Sequence, residues 1–171
     1  MEKDELDKVE LPAIAQLKLL GWTYMHGAEL TPEAGARAYQ RDVVLINHLD
    51  AAIKRINPWI SDENLRKVSR EITHPVCAGL MEYNHAIYQL LVNYLEQDLG
   101  KGRKGQTVKI IDFDNLDNNE FICTTQFKVE GINQNIIPDI LCFVNGLPLA
   151  VIECKSPYIT NPVAEGINQL R

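Results

Sequence analysis

Residues Pro138 to Pro157 read Pro-Asp-Ile-Leu-Cys-Phe-Val-Asn-Gly-Leu-Pro-Leu-Ala-Val-Ile-Glu-Cys-Lys-Ser-Pro, and this stretch decides how the chain folds. Two apolar runs flank Asn145-Gly146, a pair that favours a two-residue hairpin turn because both of its positions need positive φ. Asp139 opens the first strand, and Glu153 and Lys155 close the second. Side chains alternate along a strand, so Glu153 and Lys155 leave the sheet on one face, together with Val151.

Pairing across that turn raises a question of parity. A two-residue turn sets Val144 against Leu147, which puts Asp139 opposite Ile152 and leaves its carboxylate on the face away from Glu153. A shift of one residue, from a longer loop or a β-bulge, sets Asp139 against Glu153 on a shared face. Such a shift is expected at Leu147-Pro148, where Pro148 has no N–H to give to a ladder.

Outside the hairpin, 171 residues with 46% apolar content suit one ordinary domain with a real core. No apolar run approaches the ~20 residues of a membrane helix, and Met1-Glu2-Lys3-Asp4-Glu5 is too acidic to open a signal peptide, so the expectation is a cytoplasmic protein with no membrane partner. The four cysteines show no Cys-x-x-Cys spacing and read as reduced, mostly buried thiols. The four histidines show no ligand spacing. A net charge of −6 argues against a stand-alone nucleic-acid binder.

The first hundred residues are helical in pattern. Pro12 to Leu20 reads as a short helix stopped at Gly21, with a brief extended piece at Trp22 and Tyr24. Thr31-Pro32-Glu33 reads as a helix start, and a helix from Asp42 carries Val43, Ile46, Leu49 and Ile53 up to Asn57-Pro58. Ser61 caps the next helix, with Leu65, Val68 and Ile72 as its apolar stripe. A longer helix is expected from Ala78 to Asp98. After the basic turn Lys101-Gly102-Arg103-Lys104-Gly105 the period becomes alternating, with strands through Val108, Ile110 and Phe113 and then Phe121, Cys123, Phe127 and Val129. Val163 to Arg171 reads as the opening of a further helix, cut off early enough that a longer protein is expected. The fold class is α/β or α+β: a helical part over residues 1–100 and a mixed, mostly antiparallel sheet core over 101–171, flanked by helices.

Two carboxylates and a lysine meeting at one sheet edge suit a hard divalent cation such as magnesium, which takes oxygen ligands and keeps waters for a substrate. A lysine beside such an ion can orient an attacking water and neutralise charge on a phosphoryl group. As a bare pattern, the same residues also read as an exposed salt bridge at a strand end.

The match is wider than that pattern. Pro138-Asp139 and Glu153-Cys154-Lys155 fit the motif of the PD-(D/E)xK nuclease superfamily, whose core is restriction-endonuclease-like. The wording from Phe143 to Leu149 and from Val151 to Pro157 closely resembles the N-terminal nuclease domain of type I restriction enzyme R (motor) subunits. Asn118-Asn119-Glu120-Phe121 and Gln126-Phe127 are similar to that family's preceding strands. The resemblance is strong from about Asp112 onward and weak over the first hundred residues.

It implies that Asp139 and Glu153 bind magnesium, that the backbone carbonyl of Cys154 adds a ligand, and that Lys155 positions the water. Gln169 fits the family's glutamine, whose partner tyrosine would fall beyond Arg171. Glu82 is a candidate third carboxylate. The resemblance further implies cleavage of double-stranded DNA, driven by ATP-dependent translocation in motor domains elsewhere in the same protein, within a complex of modification (methyltransferase) and specificity subunits. The isolated piece is then expected to cut poorly, and the DNA to be held by other domains. This sequence itself has no phosphate-binding Gly-x-x-x-x-Gly-Lys loop for ATP. Two alternatives stay open: a nuclease-like interaction module without activity, and another nuclease of the same superfamily.

Overall fold

The computed structural model describes residues 6–74, 79–93, 95–97, 105–131, 134–156, 158 and 161–169. Its centre is a four-stranded sheet in the order β1 (Thr23–His26), β4 (Phe121–Thr125), β7 (Ile140–Val144) and β8 (Leu147–Ile152). Strands β1 and β4 are parallel, while β4–β7 and β7–β8 are antiparallel. Two small ribbons pair β2 (Leu95–Gln97) with β3 (Gln106–Val108) and β5 (Val129–Glu130) with β6 (Asn135–Ile136). The helices are α1 (Leu11–Leu19), α2 (Ile46–Ile56), α3 (Asp62–Thr73), α4 (Leu80–Asn93) and α5 (Pro162–Gln169). None of the described helices is long and apolar enough to cross a membrane. The α+β class with a mostly antiparallel sheet is the one the sequence pattern leads to, and the first hundred residues add β1 to that sheet.

Alternation along β4 and β7 gives the sheet two apolar faces. Cys123, Ile140, Cys142 and Cys154 face α1, where they meet Ile14. Ile122, Leu141 and Phe143 face the other way, against Leu30, Leu45 and Phe127. At the turn end of the hairpin Leu147 enters a third cluster with Leu49, Ile53, Leu65, Val68 and Ile72, so α2 and α3 grip the hairpin by its tip. Ser61 caps α3 by accepting from the Asn64 N–H at 3.2 Å, as its sequence position predicts.

The tip itself is a turn with φ of 53° at Asn145 and 79° at Gly146. Gly146 is required twice over. A Cβ there would lie 2.5 Å from the Leu45 carbonyl oxygen and 2.8 Å from the Leu49 nitrogen, and its φ is one that L side chains rarely adopt. The Leu45 N–H also donates to the Gly146 carbonyl at 2.9 Å. Asn145 is fully buried. Its Nδ2 donates to the Ile110 carbonyl and to Asn119 Oδ1, both at 2.9 Å, and its Oδ1 accepts from the Glu120 N–H at 2.8 Å.

Several expected elements take another form. Thr31-Pro32-Glu33 opens a turn and not a helix: the Thr31 hydroxyl accepts from the Ala34 N–H at 3.2 Å, and Gly35 at φ 75° ends the segment. Helix α2 begins at Ile46, four residues later than expected, because Asp42 is engaged in the preceding loop, accepting from the Tyr39 N–H at 2.9 Å through its carboxylate. The long helix stops at Asn93 and the chain goes on as β2. The strand through Val108 ends there, and Asp112 instead organises a loop by accepting from the N–H groups of Asp114 and Asn115, both at 3.1 Å. Gln126, at φ 58°, breaks the strand expected from Phe121 to Val129 into β4 and β5. Lys101 to Lys104 of the basic turn lie outside the described residues.

Replacing Asn145 with alanine strands a buried carbonyl and a buried N–H, and is expected to lower the unfolding free energy by roughly 3 kcal/mol or more. Gly146→Ala is expected to cost roughly 2–3 kcal/mol through forbidden φ and overpacking. Urea unfolding of the two variants measures both.

Candidate active site

The parity question is answered along β7 and β8. Val144 pairs with Leu147 and Phe143 with Pro148, as a two-residue turn requires, but Cys142 pairs with Ala150, Leu141 with Val151 and Ile140 with Ile152. Leu149 is therefore the extra residue, one position after the Leu147-Pro148 pair where the shift is expected. Carried one step further, the shifted register sets Asp139 level with Glu153. Pro148 supplies the physical reason for a bulge beside it, since it cannot donate to the ladder.

Three charged groups meet as a result. Lys155 Nζ lies 3.9 Å from Asp139 Oδ2 and 3.7 Å from Glu153 Oε2. All three side chains are largely enclosed, at 13% exposure for Lys155, 24% for Asp139 and 7% for Glu153. That burial sets the group apart from a solvated strand-end ion pair.

Cys154 joins through its backbone. Its N–H donates to Asp139 Oδ2 at 2.6 Å, and its carbonyl accepts from Lys155 Nζ at 2.9 Å. Its thiol points away into the apolar face shared with Ile14, Cys123, Ile140 and Cys142. The side chain thus anchors the strand from behind while the backbone faces the charges. The family resemblance points to the Cys154 carbonyl but gives no sign of the N–H contact, which depends on the register shift.

Glu153 is the strained member. Burial first, and the neighbouring Asp139 charge second, push its carboxyl pKa up, and Lys155 offsets this only in part. Its Oε2 is buried without a hydrogen-bond partner among the described residues. A buried carboxylate oxygen left in that state is costly unless a cation or donor completes it.

The donor set fits a hard cation: two carboxylates on one face and one backbone carbonyl, the oxygen chemistry that magnesium takes together with water and substrate phosphate. Among the described residues no third His, Cys, Asp or Glu side chain joins Asp139 and Glu153, so Glu82 on α4 does not complete the set. Gln169 is the last residue of α5, and its side chain lies outside the described residues. Cys123 and Cys142 are buried thiols whose pKa values are raised by that burial, which makes them poor nucleophiles.

Comparison with known proteins extends over nearly the whole chain. The chain is 38% identical over 165 residues to a putative type I restriction enzyme MjaIXP endonuclease subunit of Methanocaldococcus jannaschii, covering 94% of this chain and 16% of that protein. It is 30% identical over 154 residues to the type I restriction enzyme HindI endonuclease subunit of Haemophilus influenzae, covering 87% of this chain and 15% of that protein. The chain thus spans about a sixth of the length of the relatives it matches. The similarity includes the helical first hundred residues, where the sequence wording alone carries little. The family model for the type I restriction enzyme R protein N terminus matches residues 2–171. With the hairpin, its register and its charged end in place, the chain belongs to the family of type I restriction enzyme R protein N-terminal regions.

Proposed function

We propose that this chain is the nuclease domain of a type I restriction R subunit, in which Asp139, Glu153 and Lys155 carry out magnesium-dependent hydrolysis of phosphodiester bonds in double-stranded DNA. The observation that carries this reading is the bulge at Leu149, which turns two carboxylates of opposite parity into neighbours beside one lysine. The names of its relatives as endonuclease subunits support the same reading.

Asp139, Glu153 and the Cys154 carbonyl would hold the metal. Bound magnesium supplies polarisation of a phosphoryl oxygen and a lowered pKa for a water at the site. The Cys154 N–H fixes the orientation of the Asp139 carboxylate through Oδ2. Lys155 orients the attacking water and neutralises the charge that builds up on the phosphoryl oxygens. Its Nζ lies within 4 Å of a carboxylate oxygen of each acid, which holds the side chain at the site for both tasks. A bound divalent cation would offset the burial and the Asp139 charge that disfavour the ionised form of Glu153.

Holding DNA and choosing where to cut fall, in this proposal, to other parts of the intact cytoplasmic complex: an ATP-driven motor in the rest of the R subunit, and the modification and specificity subunits. A net charge of −6 then presents no conflict, because this domain need only receive a strand delivered to it.

In the assembled complex with magnesium and ATP, Lys155→Ala and Asp139→Ala are each expected to lower plasmid cleavage by roughly 10²–10³-fold, with DNA-stimulated ATP hydrolysis retained. Wild-type cleavage by either variant would leave the domain as a non-catalytic module.

Glu153 gives a second check on the chain itself. Its folded pKa is raised, so its ionisation opposes folding at neutral pH, and that penalty vanishes below the unfolded carboxyl value of about 4.3. In EDTA, Glu153→Gln is expected to be more stable than the parent at pH 7 and to lose that advantage as the pH falls through the ordinary carboxylate range. Added magnesium is expected to stabilise the parent and not the variant. Urea titrations at the two pH values and with the metal decide the matter.

A further inference from the structure

Two non-glycine residues have positive φ among those described, Asn145 and Gln126. Asn145 is accounted for by the hairpin turn, and its carboxamide is fully engaged inside the protein. Gln126 has the same backbone conformation, at φ 58°, with the opposite use of its side chain: it is exposed and makes no hydrogen bond to any described residue. Unlike asparagine, glutamine has no short side chain to bond locally and ease this conformation.

The fold imposes the conformation from both sides. Thr125 is tied through its hydroxyl to Tyr24 Oη at 2.8 Å, on the face that carries α1. Phe127 is fully buried on the other face, edge-on to Phe143 with ring centroids 5.3 Å apart and with the Arg37 guanidinium 4.1 Å from its own centroid. Alternation would put Thr125 and Phe127 on one face, so the backbone must reverse its parity between them. Gly27 closes off any relaxed route, since a Cβ there would lie 2.1 Å from the Gln126 carbonyl oxygen. The turn needs a left-handed residue, and glycine would supply it at less cost. Nothing in the packing calls for a carboxamide.

The position of Gln126 gives that carboxamide a use. Strands β4 and β7 pair from Phe121↔Val144 to Thr124↔Leu141. Because the two strands run antiparallel, Gln126, which follows the last residue of β4, and Asp139, which precedes the first residue of β7, emerge at the same end of the pair. Gln126 thus stands at the open end of the sheet, beside the strand that delivers the first carboxylate.

We propose that Gln126 is a substrate-contacting residue of the nuclease site, its exposed carboxamide donating N–H to a non-bridging oxygen of a DNA phosphate entering beside Asp139. Glutamine is among the side chains that position DNA by phosphate contacts. Being neutral, it neither competes with Lys155 for the carboxylates nor repels the phosphate. The inference rests on the reading of Asp139, Glu153 and Lys155 as the cleavage site.

The test uses the full R subunit in its assembled complex on supercoiled plasmid, with magnesium and ATP. Gln126→Gly keeps the left-handed backbone and removes the carboxamide; Gln126→Glu keeps the shape and replaces the donor with a negative charge. Both are expected to slow cleavage by about tenfold or more, the worth of a hydrogen bond to a charged group. The glycine variant should unfold at the same or higher urea concentration than the parent, and ATP hydrolysis should be unchanged. A purely structural role predicts glycine to be neutral or better in cleavage as well as in stability, so parental cleavage by either variant overturns the proposal. Lys155→Ala run alongside separates the two readings. If it cuts at the parental rate, the site assignment falls and takes this proposal with it; if it is inactive while Gln126→Gly cuts normally, only the role of Gln126 falls.

Discussion

The carboxamide of Asn145 uses its hydrogen-bonding groups inside the protein, joining the hairpin turn to Ile110, Asn119 and Glu120. Gly146, behind it, lets the α2 backbone come to van der Waals distance. These two residues fix the tip of the hairpin against the helical layer, so the register of β7 and β8 is set from that end. Everything at the far end inherits it. With the tip held, one bulged residue suffices to bring Asp139 level with Glu153, and a freely sliding hairpin would give the bulge nothing to act against.

The sequence makes some of this legible for definite physical reasons. Asn-Gly demands positive φ at two successive positions, which few structures other than a tight hairpin satisfy. The same parity argument that identifies the turn also shows that the carboxylates cannot meet without a shift, and Pro148 marks the neighbourhood of the break. Ser61 and the stripe Leu65, Val68 and Ile72 describe α3 because capping and helical period are local properties. What escapes is non-local. Asp42 is drawn into a loop whose other anchor, Arg37, also reaches the Lys128 carbonyl at 2.6 Å, 91 positions along the chain. The left-handed turn at Gln126 follows from where Phe127 is buried, and no window of sequence around it states that. The part of Asn145 as a hub is invisible for the same reason: its partners lie 25 and 35 positions upstream, at Glu120 and Ile110.

The charged end of the hairpin is built against the interests of stability. Glu153 is enclosed, its ionised form is disfavoured by burial and by Asp139, and one of its oxygens has no hydrogen-bond partner among the described residues. A domain under selection for stability alone would place an apolar residue or a neutral amide there. The apolar packing on the other side of the strand, where the Cys154 thiol meets Ile14, Cys123, Ile140 and Cys142, holds the segment in place despite this tension. The apolar and the charged sides of this segment are thus separated by its pleat.

The bulge at Leu149 also sets limits on how this domain can vary over time. Substitutions along β8 change one contact each, and an exchange of one apolar residue for another leaves the count of residues between the turn and Glu153 untouched. An insertion or deletion of a single residue in that interval is a different kind of event. It would exchange the two faces, sending Glu153 and Lys155 toward Ile14 and the Cys154 side chain toward Asp139. The hairpin is consequently free in spelling and fixed in length, and lineages that retain the charged cluster must conserve the number of positions more strictly than the letters that fill them.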